Sequence, residues 1–146
     1  NNIATVSNGV PSILATVDLA TQFAEITAPT IYTPTATGMF RLSAFAQVTR
    51  AASTSSTLGG TVAGTTGLVI TFTDGNGSVA QSYTMMMNSP SGAVVTTAGG
   101  NTTTTGLAGT LCFYALTGVA IQYKFGYTSV GGTAMQYSLN LKLEAL

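Results

Sequence analysis

The sequence predicts an all-β chain, an antiparallel β-sandwich or jelly roll, and three observations carry that expectation. Apolar residues recur with a period of two along several stretches, the spacing that turns one face of a strand inward. Helix formers are scarce: four Lys+Arg and four Asp+Glu make 5% charged, against about 25% in an ordinary soluble domain. Their place is taken by 27 Thr, 12 Ser and 17 Gly. Thr is β-branched and suits a pleated surface, while Gly punctuates turns.

Along the 146 residues, positions 1–14 (NNIATVSNGVPSIL) read as an N-terminal arm and positions 15–146 as one sandwich domain, long enough for a single core. ILATVDLATQFAEIT is a weak first strand. YTPTATG (Tyr32 to Gly38) is a turn, in which Pro34 fixes φ and Gly38 frees the chain to reverse. It feeds a strand whose even positions are Phe40, Leu42, Ala44, Ala46 and Val48, with Arg41, Ser43, Phe45, Gln47 and Thr49 on the other face. After the long connection AASTSSTLGGTVAGTTG, the run GLVITFTD sets Leu68, Ile70 and Phe72 on one side. DGNG (Asp74 to Gly77) is then a hairpin turn into SVAQSYTMMM, where the Met85–Met87 run has core on one side and a subunit neighbour on the other.

A second long connection, Asn88 to Gly109, hides a short strand at GAVVTT, and TLCFYAL is another weak candidate. GVAIQYKFGYTS places Ile121, Tyr123, Phe125 and Tyr127 opposite Gln122 and Lys124. The last segment alternates most clearly, with Met135, Tyr137, Leu139, Leu141 and Leu143 against Gln136, Ser138, Asn140, Lys142 and Glu144. The sum is seven or eight short strands and no segment of helical period.

The chemistry available is limited. With no His, neither a Ser-His-Asp triad nor a Cys-His dyad can form within the chain. Asp18, Glu25, Asp74 and Glu144 lie far apart in sequence, so no carboxylate pair is predicted, and Lys124 and Lys142 fall on solvated strand faces. DGNGS opens like a calcium loop but lacks the later acidic ligands and the closing Glu. No catalytic, cofactor or metal residues are expected, and the chain reads as non-enzymatic. Zero net charge without a basic run speaks against nucleic acid, and no run of about 18 apolar residues speaks for a membrane span. No signal peptide is read, although the chain begins at Asn1 rather than Met. Cys112 lies in the apolar run GLAGTLCFYAL and reads as a buried free thiol. Asn76-Gly-Ser and Asn101-Thr-Thr match the glycosylation acceptor pattern, a match expected by chance in so Thr- and Ser-rich a chain.

A domain of this mass should expose on the order of 7,000 Å². Eight charges are few for such an area, so coverage by other subunits is expected, and open sheet edges add to that need.

The segments ATVDLATQFAEI, YTPTATGMFRLSAF, TRAASTSSTL, ITFTDGNGSVAQSYT and GYTSVGGTAMQYSLNLKLEAL together resemble small virion proteins of tailed bacteriophages and prophages, mostly of unassigned role. The likeness covers nearly the whole chain and is least in the Gly/Thr-rich loops. YTPTATGMFRLSAF is also similar to the entry into the jelly roll of C1q/TNF-like trimeric heads. That second resemblance concerns architecture alone and implies a homotrimer packed about a threefold axis. It makes Phe113, Tyr123, Phe125, Tyr127, Met135 and Tyr137 the candidate subunit-interface residues. Tyr114, Tyr123, Tyr127 and Tyr137 could equally form a carbohydrate platform, with the interface preferred.

The resulting expectation is a virion structural protein, a trimeric capsid decoration or cement protein on the particle surface, whose partner is the major capsid protein. The alternatives are the receptor-binding tip of a tail or head fibre, joined to a fibre shaft and touching a host surface glycan, and a secreted filament subunit assembling by strand donation.

Overall fold

The computed structural model describes residues 11–60 and 66–146. Every regular element among them is a strand, and all the pairings are antiparallel. One sheet has six strands: β1 (Ser12–Gln22), β13 (Gln136–Ala145), β3 (Gly38–Arg50), β10 (Gly106–Ala115), β7 (Met87–Asn88) and β8 (Val94–Val95), in that spatial order. A second has β2 (Thr30–Tyr32), β11 (Ile121–Phe125), β5 (Leu68–Thr73) and β6 (Ala80–Met85). A third, of three strands, has β12 (Tyr127–Val130), β4 (Ser55–Leu58) and β9 (Ala98–Gly99). No helix among the described residues is long and apolar enough to cross a membrane.

The four- and three-stranded sheets are two halves of one interrupted ladder. Phe125 pairs with Leu68 and, two residues on, Tyr127 pairs with Leu58. Between these pairs the Gly67 N–H donates to Gly59 O at 2.7 Å and the Gly126 N–H donates to Gly67 O at 3.0 Å. Gly59 and Gly67 both hold left-handed backbone, φ 73° and 72°, and both lie against one carbonyl: a Cβ on either would sit 2.8 or 2.7 Å from Thr96 O. Only glycine accepts that conformation and that approach together.

This interrupted layer faces the six-stranded sheet, and their inner faces form one core. Aromatic rings cross the gap: Phe72 to Phe113 at 4.6 Å, and Phe125 to Tyr137 at 5.3 Å between centroids. The period-two reading holds residue by residue. Phe40, Leu42, Ala44, Ala46 and Val48 are buried, as are Leu68, Ile70 and Phe72, and so is the alternate set from Met135 to Leu143. The DGNG turn also forms. The Asp74 carboxylate accepts the Asn76 and Gly77 N–H groups at 3.2 and 2.9 Å, and β5 pairs with β6 throughout.

Several expectations need correction. The described residues form thirteen strand elements rather than seven or eight, because Met86 and Gly126 break longer runs, Thr30–Tyr32 forms β2, and the long connections carry β4 and β9 besides β8, which lies in the expected GAVVTT strand. Of the expected arm at 1–14, residues 12–14 belong to β1, with Ser12 opposite Ala145 and Ile13 opposite Glu144; residues 1–10 lie outside the described residues. Cys112 is exposed rather than buried. It pairs with Arg41 on the outward parity of β3, so the apolar run around it gives no guide to its face.

Burial also sets how the fold responds to alkali. Tyr137 is fully buried and donates its hydroxyl to Ala24 O at 2.7 Å, and burial pushes its pKa well above the usual tyrosine range. Burial pushes Tyr123 up as well. A pKa raised in the folded state means that the unfolded chain loses the proton first. This stability is therefore complete below about pH 10 and falls as pH rises beyond it. At pH 11, Tyr137 alone should account for about 1 kcal/mol of lost stability. Urea midpoints at pH 8 and 11, for the wild type and Tyr137→Phe, check this: the variant should lose less between the two.

Candidate interaction surface

The six expected interface residues do not form a surface. Phe113, Tyr123, Phe125, Met135 and Tyr137 are each 5% exposed or less, and all five belong to the chain's own core. Tyr127 is half-buried, packs against Tyr137 with centroids 5.9 Å apart, and donates its hydroxyl to Met135 O at 3.1 Å. The expectation of intersubunit contact is corrected at these positions because their strands turn these rings toward the opposite layer. The tyrosine platform fails for the same reason, since Tyr123 and Tyr137 are interior. The Met85–Met87 run divides as a strand should, with Met85 and Met87 buried and Met86 exposed.

The outer face of the six-stranded sheet carries the opposite parity. The register places Asp18, Asn140, Phe45, Ala108 and Asn88 in one row across it. The next row holds Thr16, Lys142, Ser43 and Thr110, and the one after it Ile13, Glu144, Arg41 and Cys112. Phe45, 45% exposed, stands in the middle of this face between Asn140 and Ala108. Beside it is a shallow depression of about 300 Å³ lined by Thr16, Asp18, Ser43, Asn140 and Lys142. Small side chains around one large ring leave the face broad and weakly polar.

Two of its four charges, Arg41 and Glu144, are matched within the chain. The Arg41 Nε donates to Glu144 Oε2 at 2.8 Å, and Nη2 reaches the same oxygen at 2.8 Å. That hydrogen bond, and next the Glu144 charge, hold the Arg41 proton more tightly than usual. Asn140 donates to Asp18 at 2.9 Å. Asp74 is engaged in its turn, and no group of three or more metal-ligating side chains occurs among the described residues. Of the two glycosylation matches, Asn76 is exposed in the hairpin turn. Asn101 is occupied: its carbonyl accepts the Ala52 N–H at 2.7 Å and the Ser56 hydroxyl at 3.0 Å, and its amide donates to Ala52 O.

Sequence reasoning did not single out the exposed rings Phe23, Phe45 and Tyr83. The signal for Phe45 was its parity, because it alternates with the buried set of β3. Comparison with protein-family models, curated proteins and solved structures returned no match.

Proposed function

We propose that the chain is a non-enzymatic structural protein of a bacteriophage virion, a jelly roll that assembles as a homotrimer and decorates the capsid surface. The observation that carries the assembly is the outer face around Phe45. A large ring at 45% exposure, on a sheet face that carries one internal ion pair and few other charges, is a surface suited to burial against copies of itself. The strand order supports the jelly roll, since β1-β13-β3-β10 faces β2-β11-β5-β6 and these eight strands, taken in chain order, alternate between the layers except at the β5–β6 hairpin. The resemblance of YTPTATGMFRLSAF and the terminal MQYSLNLKLEAL segment to phage virion proteins supports the placement. The exposed area, 7316 Å² for a chain with eight charges, favours a protein that works in an assembly.

Two measurements test it. Light scattering behind size exclusion should give the mass of three chains, and Phe45→Glu should shift it to one chain while the circular dichroism spectrum is kept. A wild-type monomer overturns the assembly. Gold-labelled antibody on intact particles should decorate heads, and particles without label overturn the virion placement.

A further inference from the structure

A second feature lies at the opposite side of the sandwich from β1, where both layers end in open edges. β6 is the last strand of its sheet. β10 pairs with β7 only at Ala108, and its next partner on that side is the single bridge from Ala115 to Asp74. Between these edges runs a groove of about 410 Å³, lined by Phe72, Asp74, Gln81, Tyr83, Phe113 and Tyr114 among others. That volume is within the ordinary range for small-ligand sites.

The groove has a fixed aromatic floor and a polar rim. Tyr83 is 47% exposed and packs on Phe72 with centroids 5.6 Å apart. Phe72 rests on Phe113 at 4.6 Å and Phe113 on Phe40 at 6.0 Å, so the exposed ring is the end of a stack rooted in the core. Tyr114 is positioned by the hairpin turn: a Cβ on Gly75 would fall 2.6 Å from its Cε1, so the ring lies directly on turn backbone that only glycine leaves bare. The Gly75 N–H donates to Tyr114 O at 3.2 Å and fixes the strand beneath it. Among the described residues, the Gln81 amide and the Tyr83 and Tyr114 hydroxyls make no hydrogen bond within the chain. They remain available to a ligand as donors and acceptors.

We propose that this groove binds a neutral saccharide. A pyranose ring has an apolar C–H face that packs on Tyr83 or Tyr114, and hydroxyls on its rim that suit Gln81 and the carboxylate of Asp74. No cation lines the groove and one carboxylate does, which disfavours phosphorylated or acidic sugars. This inference stands apart from the capsid reading, because it needs only the groove and neither the trimer nor the virion.

The test uses ¹⁵N-labelled full-length protein titrated with lactose, maltotriose and cellotriose, with sialyllactose as the charged comparison. At least one neutral sugar should shift amides at Asp74–Tyr83 and Leu111–Tyr114. Tyr83→Ala and Tyr114→Ala should each weaken binding roughly two- to tenfold. Lys142→Ala, in the other depression, should leave it unchanged. The same spectra report whether each variant is folded. A bulky maleimide on the exposed Cys112, which also lines the groove, should block the shifts in the wild-type sequence without any substitution. Absence of shifts with all three neutral sugars at their solubility limit overturns the proposal. So do shifts that map elsewhere, survive both tyrosine variants, or appear with sialyllactose alone.

Discussion

Tyr137→Ala is expected to lower the stability of the fold by about 3–5 kcal/mol, the cost of truncating a fully buried aromatic ring. Tyr137 touches Phe125 and Tyr127 in the facing layer, and its hydroxyl reaches Ala24 on the segment that follows β1. Truncation therefore opens a cavity between the layers and leaves the Ala24 carbonyl without its donor. Tyr137→Phe keeps the ring and loses only the hydrogen bond, about 1 kcal/mol. Urea denaturation of the two variants separates these contributions. A Tyr137→Ala midpoint equal to the wild type would restore the sequence expectation of a subunit contact, because a ring lost from an interface leaves the protomer's own core intact.

The second large effect lies in the backbone. Gly67→Ala must hold left-handed φ at about 1–3 kcal/mol, and its methyl must be placed 2.7 Å from Thr96 O and 3.2 Å from Thr96 Cβ. Overpacking of this kind adds about 1–3 kcal/mol. Gly92 separates the two contributions, since its φ is 80° but nothing lies within 4 Å of where its Cβ would be. Gly92→Ala should show the conformational cost alone. The gap between the two midpoints then measures how tightly the second layer closes on Thr96, and equal midpoints would show that Thr96 gives way freely.

How much of this was legible beforehand follows parity. Where apolar and polar residues alternate cleanly, as from Phe40 to Thr49 and Met135 to Glu144, sequence alone assigns the face of every side chain. Where both parities are apolar, as in GLAGTLCFYAL, it cannot, and Cys112 comes out on the wrong side. Thr-rich connections hide short strands because Thr is at home both in strands and in loops, so β4 and β9 leave little trace, whereas the paired valines of GAVVTT mark β8. The interface expectation failed for a different reason. It took the largest aromatics of each strand as surface, but those rings share parity with the buried aliphatics. Phe45, on the polar parity of its strand, was the informative residue. The groove could not be read at all, because Asp74, Tyr83 and Tyr114 meet only when the β5–β6 hairpin is laid beside the end of β10.

The interrupted ladder has one more consequence. The two halves of the second layer meet at Gly59 and Gly67, and a hydrogen bond from the Gly67 N–H to Gly59 O ties those two residues together. Pairing on either side, Tyr127 with Leu58 and Phe125 with Leu68, takes no account of how many residues lie between. Each doubling of a closed loop costs only about 0.6 kcal/mol in chain entropy. The number of residues between Gly59 and Gly67 is therefore uncoupled from the register of the strands on either side.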